Sequence, residues 1–247
     1  MSIESERDRK GLVAAGLVVR RVLAAMRRRV RPGVSTAELD AVARRVLRQN
    51  GARHAPRHHY GFPGDSCISV NDEAVHGIPG SRVLRPGDLV KLDVVAEKDG
   101  YMADAAVTVG VPPVSAENQR LMDCARAAFQ KAMEVARAGN RVSEIGRAVE
   151  AEVERHGFTV LRDLAGHGIG RRIHEPPSVP NHFDWRARQV LTEGLVIAVE
   201  PMVTAGAGRV VEDRDGWTIR TADGGMAAHH EHTVVITRGA PLLLTAA

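Results

Sequence analysis

The sequence predicts an α+β protein built from two similar halves, and an internal repeat is the first observation that indicates it. Residues 31–51 align without gaps on residues 137–157 at an offset of 106, and residues 83–93 align on residues 190–200 at an offset of 107. A period this long is half of a folded unit rather than a solenoid repeat. Chance similarity between ordinary buried strands is the alternative explanation.

Helical patterns are the second observation, and each half carries two of them. Apolar residues at helical spacing predict helices over residues 11–30, 115–138 and 143–156. A further helix begins after Ser35, which forms a capping box with Glu38, and it ends at Asn50-Gly51. We expect one domain over residues 1–247, and its halves are expected at about 10–112 and 113–240.

Strand patterns are the third observation. A β-branched run from Leu89 to Val95, followed by a partner run from Met102 to Val111, predicts a hairpin. Residues 53–64 are rich in His, Pro and Gly, which predicts a loop. Further strand-like runs lie at residues 67–71, 159–161, 195–203, 210–211, 218–220 and 233–237.

Composition indicates an ordinary soluble protein, with 44% hydrophobic and 26% charged residues among 247. Residues 1–10 are charged, and the apolar run 11–19 is too short to span a membrane, so we expect a cytoplasmic chain with no membrane partner. Cys67 and Cys124 are too few and too far apart in sequence for a disulfide framework or a zinc site.

The first fifty residues are unusually rich in arginine, although the net charge of the chain is only +4. Such a stretch is either a solvated helix face or a surface that attracts RNA or another polyanion. Aromatic residues make up only 3% of the chain, which argues against a module that reads nucleic-acid sequence by stacking. Nine of these arginines lie between residues 20 and 48: Arg20, Arg21, Arg27, Arg28, Arg29, Arg31, Arg44, Arg45 and Arg48.

Four acidic residues, Asp93, Asp104, Glu200 and Glu231, lie in apolar, strand-like contexts. A buried carboxylate without a partner is costly, so four of them together predict a bound cation. His167, between two glycines in LAGHGIGR, would add a nitrogen ligand. The glycines there do not match GxGxxG or a Walker pattern, and the His-Glu pair at 174–175 precedes two prolines instead of the helix that HExxH requires.

The ligand set consists of four carboxylates and one imidazole, which suits Mn, Fe(II) or Co better than a zinc site of His and Cys. Four carboxylates exceed what one divalent ion requires, so the residues favour two ions that share bridging carboxylates. Two ions about 3.5 to 4 Å apart can activate a bridging water and hold a carbonyl oxygen. The residues therefore predict hydrolysis.

The ordered contexts KLDV, MAD, GHGIGR, VEPM and EHT closely resemble the methionine aminopeptidases, specifically the bacterial type I form, over residues 8–238. The resemblance implies the pita-bread fold, in which a pseudo-twofold antiparallel sheet is flanked by helices. It implies two divalent ions per chain, drawn from Co, Mn, Fe(II), Zn and Ni, and it allows a structural monovalent cation.

The resemblance also implies a role for each metal ligand. Asp93 would bind one ion through both oxygens, Asp104 and Glu231 would bridge the two ions, and His167 and Glu200 would complete the second.

Catalytic roles follow from the same resemblance. His76 and His174 match two histidines that contact the scissile peptide and support the tetrahedral intermediate. Glu200 would take a proton from the attacking water in addition to being a ligand.

The methionine pocket is expected to include Phe62, Cys67 and Trp217. Three positions of the site depart from the family pattern, which leaves substrate tolerance open: they are His59, Ile173 and Val75. His229 is either an added donor behind the metal ligands or an exposed strand histidine.

The expected activity is removal of the initiator methionine from nascent polypeptides or peptides with a small second residue, by a monomer. The expected partners are the peptide substrate and, through the basic N-terminal helices, the ribosome, with no DNA. A prolidase or Xaa-Pro aminopeptidase is the rival enzyme, although the chain has no room for an extra N-terminal domain. Only 31 positions separate Glu200 from Glu231, which argues against the type II form. A catalytically dead binding module is the rival outside the enzymes.

Overall fold

The computed structural model describes residues 1–246, and it contains five helices and fifteen strands within that range. Ala247 lies outside the described residues. The helices are α1 (Glu6–Arg27), α2 (Thr36–Gln49), α3 (Ala55–Tyr60), α4 (Ala116–Val135) and α5 (Val142–Arg155). The strands are β1 (Arg53–His54), β2 (Cys67–Val70), β3 (Glu73–Val75), β4 (Leu89–Lys98), β5 (Tyr101–Gly110), β6 (Thr159–Val160), β7 (Ala165–Gly168), β8 (Glu175–Pro180), β9 (Val196–Val199), β10 (Met202–Thr204), β11 (Val210–Glu212), β12 (Ile219–Thr221), β13 (Ala227–His229), β14 (His232–Val235) and β15 (Leu242–Leu243).

The first half is organised around the long hairpin of β4 and β5, which the β-branched runs predicted. Asp99 and Gly100 form its two-residue turn with φ of 52° and 77°, the conformation of a type I′ turn. Strands β1 and β2 also pair with β4, and α1 and α2 pack on this sheet through buried apolar side chains such as Leu12, Val19 and Leu39.

The second half contains a sheet in the order β15-β14-β9-β7-β8, in which every pair is antiparallel. Helices α4 and α5 pack over a separate apolar cluster that includes Phe129, Ile145 and Ile197. The halves meet where Glu231 donates its backbone N–H to the Ala106 carbonyl at 2.9 Å, which joins the segment before β14 to β5.

The sequence repeat corresponds to a repeated structure. The Gly33 N–H donates to the Leu84 carbonyl at 2.9 Å, and the Gly139 N–H donates to the Leu191 carbonyl at 2.9 Å. Both glycines have positive φ, 86° and 97°, because the same turn precedes α2 and α5. The two halves therefore use equivalent hydrogen bonds at offsets of 106 and 107.

Three local predictions differ from the structure. Helix α1 begins at Glu6 rather than residue 11, because Ser5 caps it by accepting from the Asp8 N–H. The segment 53–64 is not all loop, since helix α3 begins at Ala55 with Pro56 in its first turn, and Gly61, with φ of 78°, ends it. The run 195–203 is two strands, because Pro201 lies between β9 and β10.

No helix within residues 1–246 is long and apolar enough to cross a membrane. The nine arginines between Arg20 and Arg48 are all exposed along α1, α2 and the turn between them. Their exposure is compatible both with a solvated helix face and with a surface that attracts RNA or another polyanion.

Candidate metal centre and cavity

One cavity of about 150 Å³ collects the sequence-predicted residues from both halves. An apolar cavity of roughly this size holds a benzene-sized group. Its lining includes all five predicted metal ligands, both predicted catalytic histidines and four predicted pocket residues: Asp93, Asp104, His167, Glu200, Glu231, His76, His174, Phe62, Cys67, Ile173 and Trp217. Val75 also lines it.

Asp93 and Asp104 reach the cavity from the β4–β5 hairpin. In the register of this hairpin Asp93 lies opposite Ala106, and Asp104 lies opposite Val95. Residues opposite each other, and residues two apart on one strand, share a face, so both acids point to the same side of the sheet. The short turn predicted between them is therefore what brings the two acids together.

Glu200 and Glu231 come from adjoining chain segments of the second half. Strand β9 ends at Val199, which pairs with His232 at the start of β14. Glu200 directly follows Val199 and Glu231 directly precedes His232, so the pairing brings the two acids together. The Asn181 side-chain amide donates to the Glu200 carbonyl at 2.9 Å and fixes the backbone where β9 gives way to Pro201. Both acids are buried, with 8% and 1% of Glu200 and Glu231 exposed.

His167 lies on β7 between Gly166 and Gly168. A Cβ at Gly166 would come within 2.4 Å of the Ala198 carbonyl oxygen, and one at Gly168 within 2.2 Å of the Pro176 carbonyl oxygen. The glycines are therefore needed for close strand pairing and do not form a phosphate loop. His167 Nδ1 lies 2.9 Å from the Gly168 carbonyl, which leaves Nε2 facing Glu200 Oε1 at 3.4 Å.

The four carboxyl groups have strongly perturbed acidities. Burial is the main reason that the pKa of all four carboxyl groups is raised. The negative charge of neighbouring acids raises the pKa of Asp104, Glu200 and Glu231 further. One buried oxygen of each of Asp93, Asp104 and Glu231 has no hydrogen-bond partner among residues 1–246. Buried carboxyl groups without partners are typical of a metal site, because a bound cation neutralises their charge.

The ligand atoms are close enough to share ions. One atom each from Asp104, His167 and Glu231 lies within 4.8 Å of the others, and the same holds for Glu200, His229 and Glu231. Asp93 lines the same cavity but belongs to neither group. The donor set is rich in oxygen, so the residues present fit hard divalent cations.

His76 directs its side chain into the cavity from a strained turn. Its φ is 58°, and the Gly77 N–H that follows donates to the Ser69 hydroxyl at 2.9 Å. Burial, followed by the charge of nearby His174, lowers the pKa of His76 to about 4. The ring is therefore neutral at pH 7 and carries one N–H.

His174 lies at the mouth of the cavity, where it is exposed, with its ring centroid 4.4 Å from that of His167. Tyr60, on α3, stacks on His174 and places its hydroxyl 3.2 Å from His174 Nδ1. Tyr60 lines the cavity although we did not predict it as a site residue. Tyr60 could have been identified from its position two residues before the predicted pocket residue Phe62. It was missed because the segment was expected to be a loop.

The apolar wall of the cavity contains Phe62 and Trp217, whose rings meet edge to face with centroids 5.2 Å apart. Cys67 and Ile173 are buried beside them. The structure does not bring His59 into this wall. It is exposed and its Nε2 lies 2.8 Å from Glu97 Oε2, because the last turn of α3 points this ring away from the cavity.

His229 is not an exposed strand histidine, since only 2% of it is accessible. Its Nε2 lies 3.7 Å from Glu200 Oε2 and 3.5 Å from Glu231 Oε2. Burial, followed by the charges of neighbouring groups, lowers the pKa of His229 to about 3, so the ring is neutral.

A positioning residue missed in the sequence is Thr233. Its hydroxyl accepts from the Asp104 N–H and donates to the Asp104 carbonyl, both at 2.8 Å. The two residues are 129 positions apart, so no local pattern could have indicated the contact.

Comparison with known proteins identifies the family of the chain. The model of metallopeptidase family M24 matches residues 10–238. Methionine aminopeptidase 2 of Bacillus subtilis is 42% identical over 247 residues, which cover 99% of each chain. A crystal structure of methionine aminopeptidase from Thermotoga maritima superposes with a TM-score of 0.96 at 34% identity and covers 100% of both chains.

Prolidase from Pyrococcus furiosus shares the fold with a TM-score of 0.80 at 22% identity, but this chain covers only 65% of it. The likeness to the Thermotoga structure confirms the α+β pita-bread fold with helices flanking the sheets. The match over nearly the whole chain also confirms the resemblance to the methionine aminopeptidases, and the chain belongs to metallopeptidase family M24.

Proposed function

We propose that the protein is a dinuclear metal-dependent aminopeptidase that removes the N-terminal methionine from peptides with a small second residue. The observation that carries the proposal is the junction, in one cavity, of four buried carboxyls with an apolar wall. The wall would take an unbranched apolar side chain, and the carboxyls would hold the cations beside its peptide bond. The relatives named methionine aminopeptidase support the same substrate.

Each residue has a proposed role in this reaction. Asp93, Asp104, His167, Glu200 and Glu231 would hold two divalent cations, with Mn, Fe(II) and Co favoured by the oxygen-rich set and Zn or Ni also accommodated. When bound, the cations supply Lewis acidity and an activated water. Any structural monovalent cation would lie outside this set.

The remaining steps belong to the side chains around the cations. Glu200 lines the cavity and would accept the proton that the attacking water loses. The neutral His76 donates its N–H to the developing charge on the carbonyl oxygen, and His174 contacts the same peptide group from the mouth. Phe62 and Trp217 exclude water from the methionine side chain.

The test compares metal-reconstituted protein on Met-Ala-Ser and on a peptide that begins Ala-Pro. We expect release of methionine from the first and no cleavage of the second. Cleavage of the proline peptide alone, or of neither by protein that holds two ions, would contradict the proposal. A third peptide, Met-Leu-Ser, should be cleaved more slowly if the second residue must be small.

We also propose that this activity resides in one catalytic domain of a cytoplasmic monomer and acts on nascent chains. The nine exposed arginines between Arg20 and Arg48 support weak attraction to ribosomal RNA. Sedimentation with ribosomes at low and high salt tests this part. Binding that disappears as salt rises is the expected result, and no binding at low salt would end the idea.

A further inference from the structure

The imidazole of His229 lies behind Glu200 and Glu231, outside the lining of the cavity, and the proposed roles do not use it. Neither of its ring nitrogens has a hydrogen-bond partner within residues 1–246, although the side chain is almost entirely buried. A buried hydrogen-bond donor without a partner is destabilising, because the group loses its hydrogen bonds to water and gains none in the protein. We therefore expect a ring nitrogen of His229 to form a hydrogen bond in the functional state of the site.

The position of the ring is fixed through the backbone. The Thr108 hydroxyl accepts from the His229 N–H at 2.8 Å and donates to the His229 carbonyl at 2.9 Å. This clamp joins β13 to β5, the strand that carries Asp104. The Thr233 hydroxyl forms the same two hydrogen bonds with the backbone of Asp104. Two threonines therefore hold the backbone next to the carboxyl cluster, one at His229 and one at Asp104.

Two imidazoles flank Glu200 on opposite oxygens. His167 Nε2 faces Oε1 at 3.4 Å, and His229 Nε2 faces Oε2 at 3.7 Å. The same nitrogen of His229 lies 3.5 Å from Oε2 of Glu231. A single N–H placed between two carboxylates can hold both, provided that they approach by a fraction of an ångström.

We propose that His229 is a positioning residue whose Nε2–H donates to Oε2 of Glu200 and Glu231, which leaves Glu200 Oε1 free for the cation on the His167 side. The inference rests on the proposed function for its catalytic consequence, but not for its effect on metal binding. Contacts of 3.5 and 3.7 Å are longer than hydrogen bonds, whereas an N–H to a carboxylate held anionic by a cation shortens to about 2.9 Å.

The buried ring of His229 would orient the two glutamates. Groups behind metal ligands orient the ligands, and their loss typically weakens metal affinity about 10- to 100-fold. Glutamine offers an N–H at nearly the same reach, while leucine fills similar space without a donor. The pair of variants therefore separates hydrogen bonding from packing.

The experiment measures Mn(II) dissociation constants and the Co(II) visible spectrum of wild type, His229→Gln and His229→Leu. We expect His229→Gln to bind Mn(II) within about threefold of wild type, and His229→Leu to bind about 10- to 100-fold more weakly with an altered Co(II) spectrum. The matched control is His230→Leu, because His230 faces Phe129 and His232 instead of the acids, and it should bind as wild type does.

Two results would overturn the inference. Equal loss in His229→Gln and His229→Leu would mean that the ring itself is required, and equal binding by His229→Leu and wild type would mean that it has no role. If His229→Leu does not fold, Thr108→Val and Thr108→Ser replace it. The valine variant should weaken Mn(II) binding, the serine variant should not, and the reverse order would contradict the inference.

The catalytic consequence has its own readout. On Met-Ala-Ser, His229→Leu should lower kcat about 10- to 100-fold with little change in KM, and His229→Gln should restore most of it. Absence of cleavage by wild type would refute the proposed function alone, because the Mn(II) and Co(II) measurements would still decide the role of His229.

Discussion

The hydroxyl of Thr233 bonds the backbone of Asp104 twice, by accepting from its N–H and donating to its carbonyl, both at 2.8 Å. Asp104 belongs to the first half of the chain and Thr233 to β14 of the second. The contact therefore holds an acid of one half in register with Glu231, which is two residues before Thr233. The acid cluster depends on how accurately the two halves meet.

The Thr233→Val substitution should destabilise the metal-free protein by about 1 to 3 kcal/mol, because it leaves a buried N–H and a buried carbonyl without partners. Thr233→Ser keeps the hydroxyl and should lose less than half as much. Urea unfolding of the three proteins measures the difference. Equal losses in the serine and valine variants would show that the methyl group, and not the hydroxyl, stabilises the junction.

The acids of the proposed metal site were predictable from the sequence, whereas the groups that hold them in place were not. Asp93, Asp104, Glu200 and Glu231 stand out as acids inside apolar runs, and the capping box at Ser35 is local. Bonds between distant side chains and backbone leave no periodic trace in a sequence, which is why Thr233 was missed.

Strands β7 and β8 were missed for a different reason. Glycines at residues 166 and 168 and prolines at residues 176, 177 and 180 are typical of loops. Here the glycines allow close pairing, and β8 tolerates the prolines because it is the edge of the sheet. Tertiary position therefore overrode local propensity.

Stability below neutral pH should depend on His54, which is 1% exposed and has Nδ1 3.2 Å from the Gly64 carbonyl. Burial lowers the pKa of His54 to about 4, and the unfolded value is about 6.5. Between these values the unfolded state binds more protons, so stability falls as pH falls from 6.5 to 4, by at most about 3 kcal/mol.

The measurement is chemical unfolding of wild type and His54→Gln at several pH values. The wild type should lose up to about 3 kcal/mol more than His54→Gln across this window. His58→Gln is the matched control, because His58 is exposed and lies only four residues from His54, and the pH dependence of this variant should follow that of wild type. Parallel curves for wild type and His54→Gln would contradict the assignment.

Tyr60 should orient His174, since its hydroxyl lies 3.2 Å from His174 Nδ1. Tyr60→Phe removes this contact and should lower kcat on Met-Ala-Ser about 3- to 10-fold, the cost of one hydrogen bond of about 1 kcal/mol. Tyr101→Phe is the control, because the Tyr101 hydroxyl bonds Asp8 away from the cavity. An unchanged kcat in Tyr60→Phe would mean that His174 is held by stacking alone.

Metal binding should stabilise the folded chain. Mn(II) at 100 times its dissociation constant should add about 2.7 kcal/mol to the free energy of unfolding if one ion dominates. Asp104→Asn and Glu231→Gln each remove a buried carboxylate that is expected to bridge the ions, so Mn(II) should raise their melting temperatures much less. Equal stabilisation of the variants and wild type would place the binding site elsewhere.

The central claim is that two divalent cations bind among the four buried acids and His167. Titration of the metal-free protein with Mn(II), read by calorimetry and confirmed by elemental analysis after removal of free metal, tests it most directly. The account predicts two ions per chain in wild type and fewer than two in Glu231→Gln. A wild-type chain that binds one ion or none, or a Glu231→Gln variant that still binds two, would contradict it.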